Sequence, residues 1–198
     1  MTQWAHRYGP TALVPGVPPV RGVPRLTGAA VKAHDIRAGA LALARLAEAL
    51  YNQAFVVAAE HDQEAAARLL EESLELFRRV GDEDGVARVL TMQVVPDATA
   101  GAWDRVVTRL EEVAGIWRRR GDRLALAFGL IWLAFAYGRA GRRDDARATA
   151  LEALALFREA DNATGVALAF LDLAFLLTWE GRHEDALRMA GGAERMRD

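Results

Sequence analysis

The sequence predicts an all-α fold, an α-α superhelix of about four helix-turn-helix repeats and eight helices, and three observations predict it. Shifted by 40 residues, the chain matches itself. Phe77-Arg78-Arg79-Val80-Gly81-Asp82 becomes Trp117-Arg118-Arg119-Arg120-Gly121-Asp122 and then Phe157-Arg158-Glu159-Ala160-Asp161-Asn162. The punctuation halfway through each period recurs too: His61-Asp62-Gln63, Gly101-Ala102-Trp103, Gly141-Arg142-Arg143 and Gly181-Arg182-His183. Finally, no stretch alternates apolar and polar residues between turn signals, so strands are not expected. One helical pair cannot hide its apolar faces alone, whereas stacked pairs share them, and a fixed period therefore implies a solenoid.

In chain order, residues 1–34 read as a flexible basic arm. They carry Arg7, Arg21, Arg25 and Lys32, no acid, and five of the six prolines. Proline at that density opposes both helix and strand. The stretch lacks the apolar run of a secretory signal, and its prolines spoil an amphipathic transit helix, so a disordered tail is preferred to a targeting peptide. Residues 35–198 form the repeat domain. Each period holds an apolar helix A, near 36–60, 83–95, 123–140 and 163–180. An amphipathic helix B follows, near 62–79, 102–119, 143–159 and 183–197. Gly141 and Gly181 stand where helices should stop, because glycine adopts the left-handed cap without a Cβ clash. Asp82, Asp122 and Asn162 stand where a side-chain oxygen would cap the next helix. Pro96 should end the second A helix early.

Composition excludes several function classes. At 198 residues and 52% hydrophobic, the chain can bury a core as one domain. It has no cysteine, so disulfides and thiolate metal sites are out, and a reducing cytoplasm is the expected compartment. The net charge of −2 gives no reason to expect nucleic acid or an anionic membrane surface. Leu124 to Gly138 and Val166 to Trp179 are apolar but shorter than the roughly 18 residues a bilayer span needs. No phosphate loop or nucleophile elbow is present, Ser73 is the sole serine, and His61 and His183 lie three repeats apart. Neither a catalytic set, a cofactor nor a metal is therefore expected. The runs Arg118-Arg119-Arg120 and Arg142-Arg143 sit beside Glu111, Glu112, Asp122, Asp144 and Asp145, which predicts solvated helix ends and no nucleic-acid site.

The third and fourth periods place Leu130, Leu133, Ala134, Tyr137, Ala146, Ala150 and Ala153, then Phe170, Leu173, Ala174, Leu177, Ala186, Ala190 and Ala193, in a repeating large-and-small pattern. With these residues the chain resembles the tetratricopeptide repeat family, in which small side chains let antiparallel helices approach closely. The first two periods fit less well, since Gln53 stands at a leucine slot and Gln93, Val94 and Asp97 depart from the pattern. The period of 40 departs from the family's usual 34. It is comparable with HEAT or armadillo repeats, and it resembles the long repeats in C-terminal sensor regions of LuxR/MalT-type bacterial regulators. The resemblance implies a right-handed solenoid that binds a protein or peptide partner, self-association included. The alternative it implies is the effector-sensing domain of a transcriptional or signalling regulator, taking a small ligand or signal peptide.

In that architecture the A helices line the concave face. Their outer stripe reads Phe128, Ile131, Trp132 and Phe135 in the third repeat and Leu168, Leu171, Asp172 and Phe175 in the fourth, at helical spacing. Tyr51, Phe55, Ile131, Phe135, Leu171, Phe175 and Trp179 are the candidate groove residues for a helix, peptide or apolar ligand. The competing reading is that they pack against neighbouring A helices, the N-terminal arm or a second subunit. A clamp for a peptide carboxylate is not expected, since only Asn52 and Arg88 could serve it. The last B helix reaches the final residues with no polar capping helix, which predicts a covered terminal face or a continuing chain.

Overall fold

The computed structural model describes residues 28–195, with side chains over residues 36–192, as helices in series. They are α1 (Gly28–Ala59), α2 (Gln63–Val80), α3 (Glu83–Thr99), α4 (Trp103–Arg120), α5 (Arg123–Arg139), α6 (Arg143–Glu159), α7 (Ala163–Trp179) and α8 (His183–Arg195). No strand occurs among the described residues. Odd-numbered helices are the A members and even-numbered helices the B members. Contacts divide the chain between Gly39 and Ala40, and the larger unit, Ala40–Asp198, holds the repeat array. Most of the arm expected over residues 1–34, residues 1–27, lies outside the described residues. The rest is helical, because α1 begins at Gly28, beyond the last arm proline, Pro24.

The turns carry the period. Positive φ occurs at His61, Gly81, Gly101, Gly121, Gly141, Asp161 and Gly181, one residue in every 20. The ends of α1 to α7 are closed by the same pair of backbone bonds, in which the residue after the turn donates to a carbonyl five residues back. Asp82 N to Phe77 O (3.0 Å), Asp122 N to Trp117 O (3.1 Å) and Asn162 N to Phe157 O (2.9 Å) are the examples at the B-to-A turns. The expected N-caps form: Asp82 accepts from Gly85 N (3.0 Å), Asp122 from Ala125 N (3.0 Å) and Asn162 from Gly165 N (2.7 Å). Asp62 adds a fourth, on Ala65 N at 2.9 Å.

Helix α3 corrects one expectation. It runs through Pro96 to Thr99. The proline lies in the last turn, so only the bond to Met92 O is forfeited. The Ala100 N to Pro96 O and Ala102 N to Asp97 O bonds (3.0 and 2.8 Å) still close the same turn as in the other repeats.

From α2 onward each helix packs against its successor, and α5 also packs against α7. The first pair is joined by Ser73, whose buried Oγ donates to Ala47 O at 2.7 Å. Ala146, Ala150 and Ala153 have no exposed surface, as small residues at a close helix crossing should. Successive repeats are locked by an aromatic ring set on a glycine of the next A helix. A Cβ added to Gly85 would lie 2.2 Å from the Phe77 ring, and one on Gly165 would lie 2.0 Å from Phe157. Trp117 is larger and reaches one turn further, to Gly129. Burying a ring such as Phe157 completely contributes about 3 kcal/mol.

The second repeat substitutes polar chemistry for this apolar seam. Gln93 and Asp97 are buried, and Arg109 reaches both, with Nε on Asp97 (2.8 Å) and Nη1 on Gln93 (2.5 Å). Arg105 donates to the other Asp97 oxygen at 3.0 Å, and Gln93 donates to Glu71 at 3.1 Å. The residues that broke the repeat pattern are thus a mutually satisfied network.

Candidate functional site

The A-helix stripe is built by the 40-residue register, so equivalent slots can be compared directly. Glu48, Arg88, Phe128 and Leu168 share one slot. At the first step it is polar: Arg88 makes a two-pronged bond to Glu48, at 2.9 and 2.8 Å, and lies over the Tyr51 ring at 5.3 Å from its centre. The Arg88 guanidinium holds the Glu48 carboxyl below its ordinary pKa. Arg88 therefore has its fork occupied, which argues against its use in a carboxylate clamp. At the second step the slot turns apolar, and α5 and α7 carry large side chains outward.

The seven candidate residues fall into separate places. Tyr51 and Phe55 line an open cavity of about 490 Å³ with Ala87, Thr91, Met92 and Trp117. Phe135, Phe175 and Trp179 meet in a narrow cleft between α5 and α7, together with Asp172. Leu171 and Phe175 border a third hollow, of about 360 Å³, against α8. Ile131 and Trp179 pack partly into the core of repeats two to four, while Phe55 and Phe175 stand 66% and 54% exposed. A single groove through all seven is not what these neighbours make. The rings do form a chain, with Trp103 edge-on to Phe135 at 5.9 Å, Phe135 6.3 Å from Trp179, and the Arg139 guanidinium over Trp103 at 4.6 Å.

One strongly exposed aromatic of the stripe was not among the seven. Trp132 is 63% exposed, and Phe128 and Leu168 are open on the same side. Phe128, Trp132 and Leu168 stand three residues before Ile131, Phe135 and Leu171, and that i, i+3 spacing was the available signal.

Asp172 occupies the Trp132 slot one repeat on. Its Oδ2 is buried without a hydrogen-bond partner, and burial pushes its pKa up to about 7. No charged group appears among the other lining residues of its cleft, and the cleft leaves no room for a water molecule. The sequence shows an acid in an apolar run, but not that the acid is left unpaired.

Four arginines of the two runs are engaged in ion pairs: Arg118 with Glu152 at 2.8 Å, Arg119 with Glu83 at 2.6 Å, Arg120 with Asp84, and Arg142 with Asp145 at 2.7 Å. Arg78 and Glu112 repeat the Arg118 to Glu152 pairing one period earlier, at 2.8 Å. Among the described residues no group of three or more His, Asp or Glu side chains is arranged to hold a metal ion. Nor is any described helix long and apolar enough to cross a membrane.

No family model matches the sequence. No curated protein matches it either. Among solved structures, the crystal structure of BtubC (BKLC) from P. vanneervenii superposes with a TM-score of 0.66 at 18% identity, covering 77% of this chain and 63% of that one. The chain thus matches less than two thirds of BtubC's length, and at that identity the likeness is one of fold: helices packed in series as an α-α repeat array.

Proposed function

We propose that the chain is a non-catalytic, tetratricopeptide-like interaction module that takes a protein or peptide partner on its A-helix face. The observation that carries this reading is the outward stripe on adjacent helices α5 and α7, where Phe128, Trp132, Leu168, Leu171 and Phe175 are all exposed. Contiguous apolar surface of this kind is rare unless something covers it. Aromatic anchors are also the side chains that dominate binding energy at interfaces. The pattern of small and large residues supports the family likeness, and the long period supports work with, or within, a bacterial regulatory protein in the cytoplasm. The pairing of Arg118, Arg119, Arg120 and Arg142 with acids supports a partner other than nucleic acid.

The test is a titration of the partner captured stoichiometrically by the immobilised chain. Replacing Trp132 and Phe175 by serine should weaken that complex by about tenfold or more while leaving the helical circular dichroism unchanged. Unaltered affinity in a folded double variant would remove the stripe from the interface.

The second reading, an effector-sensing domain, is favoured by the cavity at Tyr51 and Phe55, whose size of about 490 Å³ suits a small ligand. A thermal-shift screen in which one compound stabilises the wild type, but not a Tyr51→Ala variant, would support it.

A further inference from the structure

One set of slots recurs where an A helix lies between two B helices, and the 40-residue register shows how each repeat fills it. In the second repeat Glu71, Gln93, Asp97, Arg105 and Arg109 join there in one hydrogen-bonded network. In the third, Tyr137 stands at the Asp97 slot and donates to Glu111 at 2.6 Å. The Arg142 guanidinium lies over that ring at 4.3 Å and 3.6 Å from the Glu111 carboxylate, while its Nε donates to Asp145 at 2.7 Å. In the fourth repeat the arginine and its acid return as Arg182 and Asp185, bonded at 2.7 Å. The ring, however, is replaced by Leu177 and the carboxylate by Leu151, and Leu173 and Met189 stand where the second repeat has Gln93 and Arg109. What is left is an open hollow of about 490 Å³ between α6, α7 and α8. Phe170, Leu173, Leu177 and Met189 wall it, and its charged lining is Arg147, Arg182 and Arg188 against one acid, Asp185. Its size falls within the range of about 300–1,000 Å³ typical of small-ligand sites.

We propose that this hollow binds an aromatic carboxylate, a small molecule that brings from outside the ring and the carboxylate that Tyr137 and Glu111 supply within the chain one repeat earlier. The ligand's ring rests on the apolar walls beside the Arg182 guanidinium, as Tyr137 rests under Arg142. Its carboxylate goes to the arginines, whose planar forks match it. Arg147 and Arg182 keep their bonds to Glu180 and Asp185, which hold both side chains in place. The ion pairs of Arg188 with Glu184 and Asp185 stand at 3.7 and 3.6 Å, longer than hydrogen bonds, so a ligand carboxylate can take its donors. None of the seven candidate groove residues lines the hollow, and the inference is therefore independent of the A-helix face.

The experiment is a calorimetric titration of the full chain at neutral pH with 2-naphthylacetate, its neutral amide, and its ring-saturated twin, decahydro-2-naphthylacetate. The naphthylacetate should bind about 10- to 100-fold more tightly than the amide, the range of a charge-assisted hydrogen bond. It should bind at least about threefold more tightly than the saturated twin, the contribution of a ring beside a guanidinium. Two variants locate the site. Leu151→Glu with Leu177→Tyr copies the third repeat's own plug, and should weaken naphthylacetate binding by about tenfold or more with helical circular dichroism retained. Arg188→Gln leaves the hollow open and should bring acid and amide to within about threefold of each other. Unchanged affinity in a folded plugged variant would overturn the location. Equal binding of acid and amide to the wild type would overturn the anion, and equal binding of the saturated twin would overturn the ring. Failure of all three probes to bind would overturn the site. If the plugged variant does not fold, Arg188→Gln decides, and a persisting preference for the acid would overturn the proposal.

Discussion

His61 and Asp161 occupy positions that glycine holds in the other turns, and both adopt left-handed backbone, at φ 69° and 50°. A side chain there costs about 1 kcal/mol, partly offset because glycine is freer in the unfolded chain. His61→Gly and Asp161→Gly should each stabilise the protein by roughly 0.5 kcal/mol, read as a higher urea midpoint. Glycine at these turns was legible from the repeat, as were the caps at Asp82, Asp122 and Asn162, because both follow from local backbone chemistry. The state of Asp172 was not legible, since it depends on what three separate helical turns bring around it. Its pKa of about 7 lies above the ordinary carboxylate value near 3.9. A native state that holds a proton more tightly than the unfolded chain is favoured at low pH. This contribution is therefore complete below about pH 4 and is lost as the pH rises through about 7. Between pH 5 and pH 8 the wild type should lose on the order of 2–3 kcal/mol relative to Asp172→Asn, measured by urea unfolding at the two values.

At the scale of helices, the sequence predicted the order and type of the A and B elements, and their bounds to within a few residues except at the start of α1, which begins at Gly28 and not near residue 36. The errors cluster where a tertiary contact overrode a local rule. Pro96 did not stop α3, because the turn that follows is held by the same bonds as in every other repeat. Gln93 and Asp97, read as departures from the pattern, are the residues Arg109 ties together. Sequence spacing shows polar residues at core slots but not that an arginine 12 positions beyond Asp97 reaches back to them. The inter-helix locks were similarly hidden: a glycine inside a helix reads as a weak spot until the ring that rests on it is located. Gly85→Ala and Gly165→Ala should each cost about 2–3 kcal/mol, because the new methyl would fall inside the ring contact of Phe77 or Phe157. Gly115, where the nearest side-chain atom is 3.5 Å away, is the control, and Gly115→Ala should be neutral or stabilising. Chemical denaturation of the three variants separates the outcomes.

Across the whole molecule, what was readable was the period and what was not was the continuity of the binding stripe. The period depends on residues near in sequence and repeats faithfully. The stripe depends on how each A helix is rotated against its neighbours, and this divides seven aligned residues among two hollows and a cleft. The even spacing of the turns has a genetic corollary. Removing residues 82–121 would join Gly81 to Asp122 and keep both the turn residue and the helix cap, so the protein should behave as a cassette that tolerates loss of one unit. The new junction, however, would press Phe77 against Ala125, which stands where Gly85 accepted the ring. The shortened protein should unfold at distinctly lower temperature than its Ala125→Gly derivative. Exchange of whole units in this array is thus governed by one small residue at the splice, and not by the length of what is moved.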